Sequence, residues 1–121
     1  MKKILIIEDN KLNLKLFYDI LVYKKYEVKT AQDGLLGFEM LKKEEFDLAV
    51  LDLQLPKMDG FSIIQKLKKE KIKLPKIVVV SACAMDSDKK RALELGVNKY
   101  LTKPVDIFNF ASTIENELKT S

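Results

Sequence analysis

The stretch Phe46 to Gly60, FDLAVLDLQLPKMDG, decides how the rest of the chain reads. Its apolar run, Leu48 to Leu51, ends in a carboxylate, Asp52, and a loop closed by Pro56 and Gly60 follows. Short apolar runs rich in Val and Leu and bounded by turn signals are strands buried on both faces. In an open α/β sheet, chemistry collects beyond the carboxyl ends of such strands. Asp52 falls at such an end, so the other segments are read for what they bring to it.

Upstream, KILII (3–7) is a short apolar run and predicts a buried strand. Glu8, Asp9 and Asn10 close it, and Asn10 or Asp9 supplies a helix cap. From 11 to 24, Leu14, Phe17 and Leu21 recur at helical spacing, as do Leu12, Leu16 and Ile20. That pattern is wider than one stripe, so part of it remains exposed. EVKTA (27–31) predicts a second strand, and Asp33-Gly34 turns into a helix over 35–43 with Leu36, Met40 and Leu41 inward. The third strand is 47–51, and a third helix over 61–70 carries Ile63, Ile64 and Leu67. Pro75 precedes a fourth strand, KIVVV (76–80), and 81–86 is a loop. A fourth helix over 87–95 stops at Gly96, NKYL (98–101) makes a fifth strand, Thr102-Lys103-Pro104 turns the chain, and a last helix covers 107–119.

Five βα units in strict alternation predict an α/β fold: a five-stranded parallel sheet with helices on both faces and right-handed crossovers. The 121 residues form one domain with no linker or repeat, and the expectation is a chain, 1–121, without an output domain.

Composition narrows the function. Hydrophobic residues are 47% and charged residues 33%, as in a soluble globular protein. No apolar run approaches the ~20 residues that span a bilayer, and the acidic residues after MKKILII argue against a signal peptide. The single cysteine, Cys83, excludes an internal disulfide and fits a reducing cytoplasm. Net charge is +4, with lysines such as Lys66, Lys68, Lys69 and Lys71 spread over predicted helix surfaces. That is a solvated face rather than a nucleic-acid patch. The chain has no histidine, which removes imidazole bases, histidine metal ligands and an internal phosphohistidine.

A parallel sheet gathers the ends of all five strands on one rim: Glu8-Asp9, Asp52, Ser81 and Thr102-Lys103. If the first and third strands are neighbours, three carboxylates converge. Two unit charges 4 Å apart repel by ~4 kcal/mol at an effective dielectric near 20, so such a cluster asks for a cation. Oxygen-only ligands suit Mg²⁺. A carboxylate beside Mg²⁺ is a nucleophile towards phosphorus, giving an aspartyl phosphate. Lys103 would contact a phosphoryl oxygen and the Ser81 hydroxyl would hydrogen-bond another. Taken singly, Glu8-Asp9 reads as a turn and cap, Lys103 as a solvated lysine and Ser81 as a turn residue. Their occurrence together at successive strand ends favours the site.

These residues carry a family resemblance. Glu8-Asp9-Asn10, LDLQLPKMDG (51–60), Ser81-Ala82 and Tyr100-Leu101-Thr102-Lys103-Pro104 resemble the motifs of response-regulator receiver domains of bacterial two-component systems, over essentially the whole chain. The resemblance implies a CheY-like, flavodoxin-like doubly wound fold and a switch that signals by altered protein binding. It implies Asp52 as phosphoacceptor, and Glu8, Asp9, Asp52 and the backbone carbonyl of Gln54 as the Mg²⁺ site, with Mn²⁺ as an alternative ion. Ser81 and Lys103 would respond to the phosphoryl group, Tyr100 would be the aromatic switch residue, and the Lys103-Pro104 bond would be cis. Ser81 replaces a commoner threonine and keeps the hydroxyl, while small Ala82 leaves access. Uncharged Gln54 and Cys83 imply slow autodephosphorylation, so the protein is a phosphoacceptor rather than an enzyme.

EDNKLNLKLFYDIL (8–21) and SACAMDSDKKRA (81–92) resemble single-domain DivK-type regulators and hybrid-kinase receivers, through Asn10, Asn13 and the pair Ala84-Met85. A sensor histidine kinase or a histidine phosphotransfer protein would donate the phosphate, and a downstream protein would read it. Leu12, Asn13, Leu16 and Pro104 are docking candidates, and the surface around Tyr100 and the fourth and fifth helices is the output candidate. The implied state is a cytoplasmic monomer or phosphorylation-dependent dimer that meets neither nucleic acid nor membrane. A flavodoxin-like FMN protein shares the βα order, but would need a phosphate loop where Glu8-Asp9-Asn10 stands. A haloacid-dehalogenase-type phosphatase would carry its nucleophile in an Asp-x-Asp motif after the first strand; here Asp52 follows the third and position 54 is Gln. A binding domain that has lost the switch would lack the reactive groups present here.

Overall fold

The computed structural model describes residues 1–82 and 85–119, so the expectations for Cys83 and Ala84 lie outside the described residues. The elements alternate as β1 (Lys3–Ile7), α1 (Lys11–Tyr23), β2 (Glu27–Ala31), α2 (Gly34–Lys43), β3 (Leu48–Leu51), α3 (Gly60–Lys69), β4 (Lys76–Ser81), α4 (Asp86–Glu94), β5 (Lys99–Thr102) and α5 (Ile107–Lys119). The five strands form one parallel sheet in the order β2-β1-β3-β4-β5.

The period-two alternation of the strands divides the core. Ile4, Ile6, Leu48, Val50, Val78 and Val80 pack with Leu14, Phe17 and Leu21 of α1 and Phe110 and Ile114 of α5. The intervening Leu5, Ile7, Ala49, Leu51, Ile77 and Val79 pack with α2, α3 and Ala92 of α4. Phe17 and Phe110 stack with ring centroids 4.5 Å apart, joining α1 to α5. Four helices start on a side-chain cap among the described residues: Asn10, Asp33, Asp59 and Asp106 accept from the N–H groups of Asn13, Leu36, Ser62 and Phe108. Gly96, at φ +101°, follows α4 as the sequence predicts.

Two expectations need correction. Leu36, which the spacing places inward, is 46% exposed, and Gly34, Gly37, Phe38 and Leu41 form the buried side of α2. A Cβ on Gly37 would stand 2.7 Å from Ile7 Cδ1, so glycine itself is what lets α2 lie close on the sheet. Half of that side is glycine, which a hydrophobicity pattern does not register. Ser81, which the sequence pattern assigns to a loop, is the last residue of β4, paired with Thr102 and fully buried. Its carbonyl accepts the Lys103 N–H at 2.9 Å, which continues the ladder by one residue.

Candidate functional site

The register of β1 on β3 places Ile7 opposite Leu51, so Glu8 and Asp52 leave the sheet side by side. Asp52 extends that pairing, its N–H donating to the Ile7 carbonyl at 3.1 Å. Asp52 is 5% exposed, and both of its carboxylate oxygens accept hydrogen bonds. Oδ1 accepts from Ser81 Oγ at 2.9 Å and from the Gln54 N–H at 3.0 Å, and Oδ2 accepts from Lys103 Nζ at 2.8 Å.

Lys103 bridges two acids: its Nζ also lies 2.7 Å from Glu8 Oε1. Glu8 is almost fully buried, and its Oε2 accepts the Asn10 N–H at 3.1 Å. Asp9 sits exposed beside them, and ligand oxygens of Glu8, Asp9 and Asp52 all lie within 4.8 Å of one another. The structure therefore brings together Glu8, Asp9, Asp52, Ser81 and Lys103, with the Gln54 backbone against Asp52.

The electrostatics follow from burial. Desolvation pushes the Glu8 carboxyl above the usual carboxylate range, with the Asp52 charge adding to the rise; the hydrogen bonds from Lys103 and Asn10 oppose it without cancelling it. Desolvation also works to lower the Lys103 pKa, but hydrogen bonds to Asp52 and Glu8 outweigh it and hold the ammonium above its ordinary value. Three carboxylates thus face one cation, a formal balance of −2 that a divalent ion would neutralise. The donor set fits Mg²⁺ or Mn²⁺: hard oxygens alone, one of them exposed.

One further residue frames Asp52. A Cβ on Gly60 would stand 2.8 Å from the Asp52 carbonyl oxygen, so this glycine lets α3 begin directly against it. The sequence shows Gly60 as the loop's end but carries no sign of that contact. Tyr100 on β5 is half-buried, with the Lys89 ammonium 5.9 Å from its ring centroid. The Lys103-Pro104 peptide is cis. On α1, Leu12 is 77% and Leu16 47% exposed, Asn13 is half-buried, and Pro104 lies exposed after β5.

The chain matches the family described as response regulator receiver domain over residues 4–115. A curated relative, the polar-differentiation response regulator DivK of Brucella ovis, is 33% identical over 118 residues, covering 97% of this chain and 96% of its own. A CheY-like response regulator receiver domain protein from Methanospirillum hungatei superposes with TM-score 0.89 at 30% identity, covering 98% of this chain and 94% of that one. A sensor-histidine-kinase receiver domain from Pseudomonas aeruginosa, solved with a magnesium ion in its active-site cleft, shares the fold with TM-score 0.84 at 24% identity and 98% coverage of both chains.

Proposed function

The chain belongs to the response regulator receiver domain family of two-component signalling, and from that premise we propose that it is a Mg²⁺-dependent switch phosphorylated on Asp52. The observation that carries the reading is the buried Asp52 carboxylate, held by Ser81, Gln54 and Lys103 beside Glu8 and Asp9.

Glu8, Asp9, Asp52 and the Gln54 carbonyl would hold the ion. When bound, Mg²⁺ supplies positive charge against the oxygens of an incoming phosphoryl group. The chain's own residues do the rest. Asp52 is fixed by its hydrogen bonds, so little orientational freedom is lost as it attacks. One of its oxygens forms the new O–P bond while the N–P bond of a donor phosphohistidine breaks, its electron pair returning to the imidazole. Lys103 already donates to Asp52 and Glu8, and its ammonium is placed to follow the charge onto a phosphoryl oxygen.

Ser81 transmits the change. Its hydroxyl donates to Asp52 Oδ1, and a phosphoryl oxygen offers a more highly charged acceptor. Movement of Ser81 would free space for Tyr100 to turn inward, altering the face around β5 and α4 that a downstream protein reads. The donor is a sensor histidine kinase or a phosphotransfer protein. Exposed Leu12 and Leu16, with Asn13 and Pro104, form its docking surface. No helix among the described residues is long and apolar enough to cross a membrane, in keeping with a cytoplasmic role.

Intact-mass spectrometry after incubation with acetyl phosphate and Mg²⁺ tests the proposal. One phosphoryl adduct is expected on the wild type, and none on Asp52→Asn or in EDTA. An adduct retained in Asp52→Asn would place the chemistry elsewhere.

A further inference from the structure

The first turn of α2 and the loop after Asp52 meet largely through backbone. The Pro56 carbonyl accepts two hydrogen bonds, from the Met58 N–H at 2.8 Å and from the Gly34 N–H at 3.1 Å. The first closes a three-residue turn centred on Lys57, whose φ is +69°. A turn of this length with positive central φ is the rarer hand of the γ-turn, a strained conformation for a residue with a side chain. Such strain persists only where the surroundings over-determine it.

Here the surroundings are α2. Gly34 donates to Pro56, and the Lys57 ammonium stands 3.6 Å from the Asp33 carboxylate that caps the helix. A Cβ on Gly34 would lie 1.5 Å from the Met58 carbonyl oxygen, so no other residue fits without moving the loop or the helix. The loop's two ends are closed on each other by the Gly60 N–H, which donates to the Leu53 carbonyl at 3.0 Å. Gln54 lies between these two clamps, its N–H committed to Asp52.

We infer that Gly34 and Lys57 are positioning residues for the cation site, acting through a strained turn that α2 holds in place and that fixes the Gln54 carbonyl. The inference rests on the Mg²⁺ reading above. Mg²⁺ demands near-ideal octahedral geometry, so a carbonyl ligand on a loosened loop binds it poorly. Neither residue would touch the ion.

The test is Mg²⁺ titration by calorimetry, with amide hydrogen exchange of the metal-free protein as a second readout. Gly34→Ala attacks the clamp from the helix. Lys57→Pro attacks it from the loop, at an exposed position where proline cannot adopt φ +69°. Each is expected to weaken Mg²⁺ binding about tenfold, as loss of an outer support does at metal sites, and to speed exchange at Gln54 and Met58. Gly37→Ala is the control: it disturbs the same helix against Ile7, lowering the melting temperature while leaving Mg²⁺ affinity within about twofold. If Gly34→Ala does not fold, Lys57→Pro decides. Wild-type affinity in the folded variants overturns the positioning role, as does an equal loss in Gly37→Ala. A wild type that ignores Mg²⁺ overturns the metal reading itself, and the inference with it.

Discussion

At the amino-terminal rim of the sheet, Glu44 accepts hydrogen bonds from Lys3 at 2.8 Å and from Lys29 at 3.0 and 3.1 Å, and Asp47 takes the Lys3 backbone N–H at 2.7 Å. A groove of about 770 Å³ opens there, with Leu41, Phe46, Ile72 and Leu74 among its lining. At the carboxyl rim, three carboxylates gather, the two buried ones share Lys103, and exposed Asp9 stands beside them. Space lies at one rim and unbalanced charge at the other. Acids saturated by partly exposed lysines add a little stability and have no reason to bind anything further. Acids in excess, held where solvent screens them poorly, cost stability and seek a cation. The comparison teaches that charge balance separates the rim proposed to carry the phosphoryl chemistry from its opposite.

The largest way to sharpen that contrast is Lys103→Met. Adduct formation should fall at least ~100-fold, since a preplaced donor to the developing charge is gone. Metal-free stability should drop by up to ~3 kcal/mol as buried carboxylates lose their counter-ion, and the stabilisation by Mg²⁺ should grow. Mass spectrometry and thermal melts with and without Mg²⁺ report both. A variant as stable and as readily labelled as wild type would break the contrast.

Asp9→Asn has the next largest effect. Removing one of three like charges should raise the metal-free melting temperature. It should also abolish most of the Mg²⁺ response, which for a site at 100 times its Kd amounts to ~2.7 kcal/mol. An undiminished response would remove Asp9 from the site.

Glu44→Gln at the opposite rim should have the smallest effect. Hydrogen bonds from Lys3 and Lys29 hold the Glu44 carboxyl below the usual range. Its contribution is therefore fully present above the ordinary glutamate pKa and lost as pH falls through the lower folded value. The variant should melt only slightly lower at neutral pH, have a flatter acid limb in a melt-versus-pH series, and label at the wild-type rate. A labelling defect would show that the two rims are not independent.

Much of the fold was legible because its signals are local. Short apolar runs, a cap at Asn10 or Asp9, the Asp33-Gly34 turn, and Gly96 each act within a few residues, and all five strands and helices lie within a residue or two of expectation. Leu36 misled because half of the buried side of α2, Gly34 and Gly37 beside Phe38 and Leu41, is glycine, which has no hydrophobic signature. Ser81 misled because its last rung of pairing comes from Thr102 on β5, a strand far along the chain. The acidic residues and Lys103 could be nominated from strand ends alone. The clamp of Gly34 on Pro56 could not, since it joins two backbones whose approach no side chain announces.

By itself the sequence determined the alternation of strands and helices, and with it that Glu8, Asp9, Asp52, Ser81 and Lys103 share a rim. Residue type and period are enough for that, because parallel strands put every carboxyl end on one side. Tertiary structure decided the rest. Pairing β1 with β3 in one register set Glu8 against Asp52, and the span from β5 let one lysine bridge both. Those distances arise from sheet order and packing between segments far apart in the chain, which no local pattern encodes.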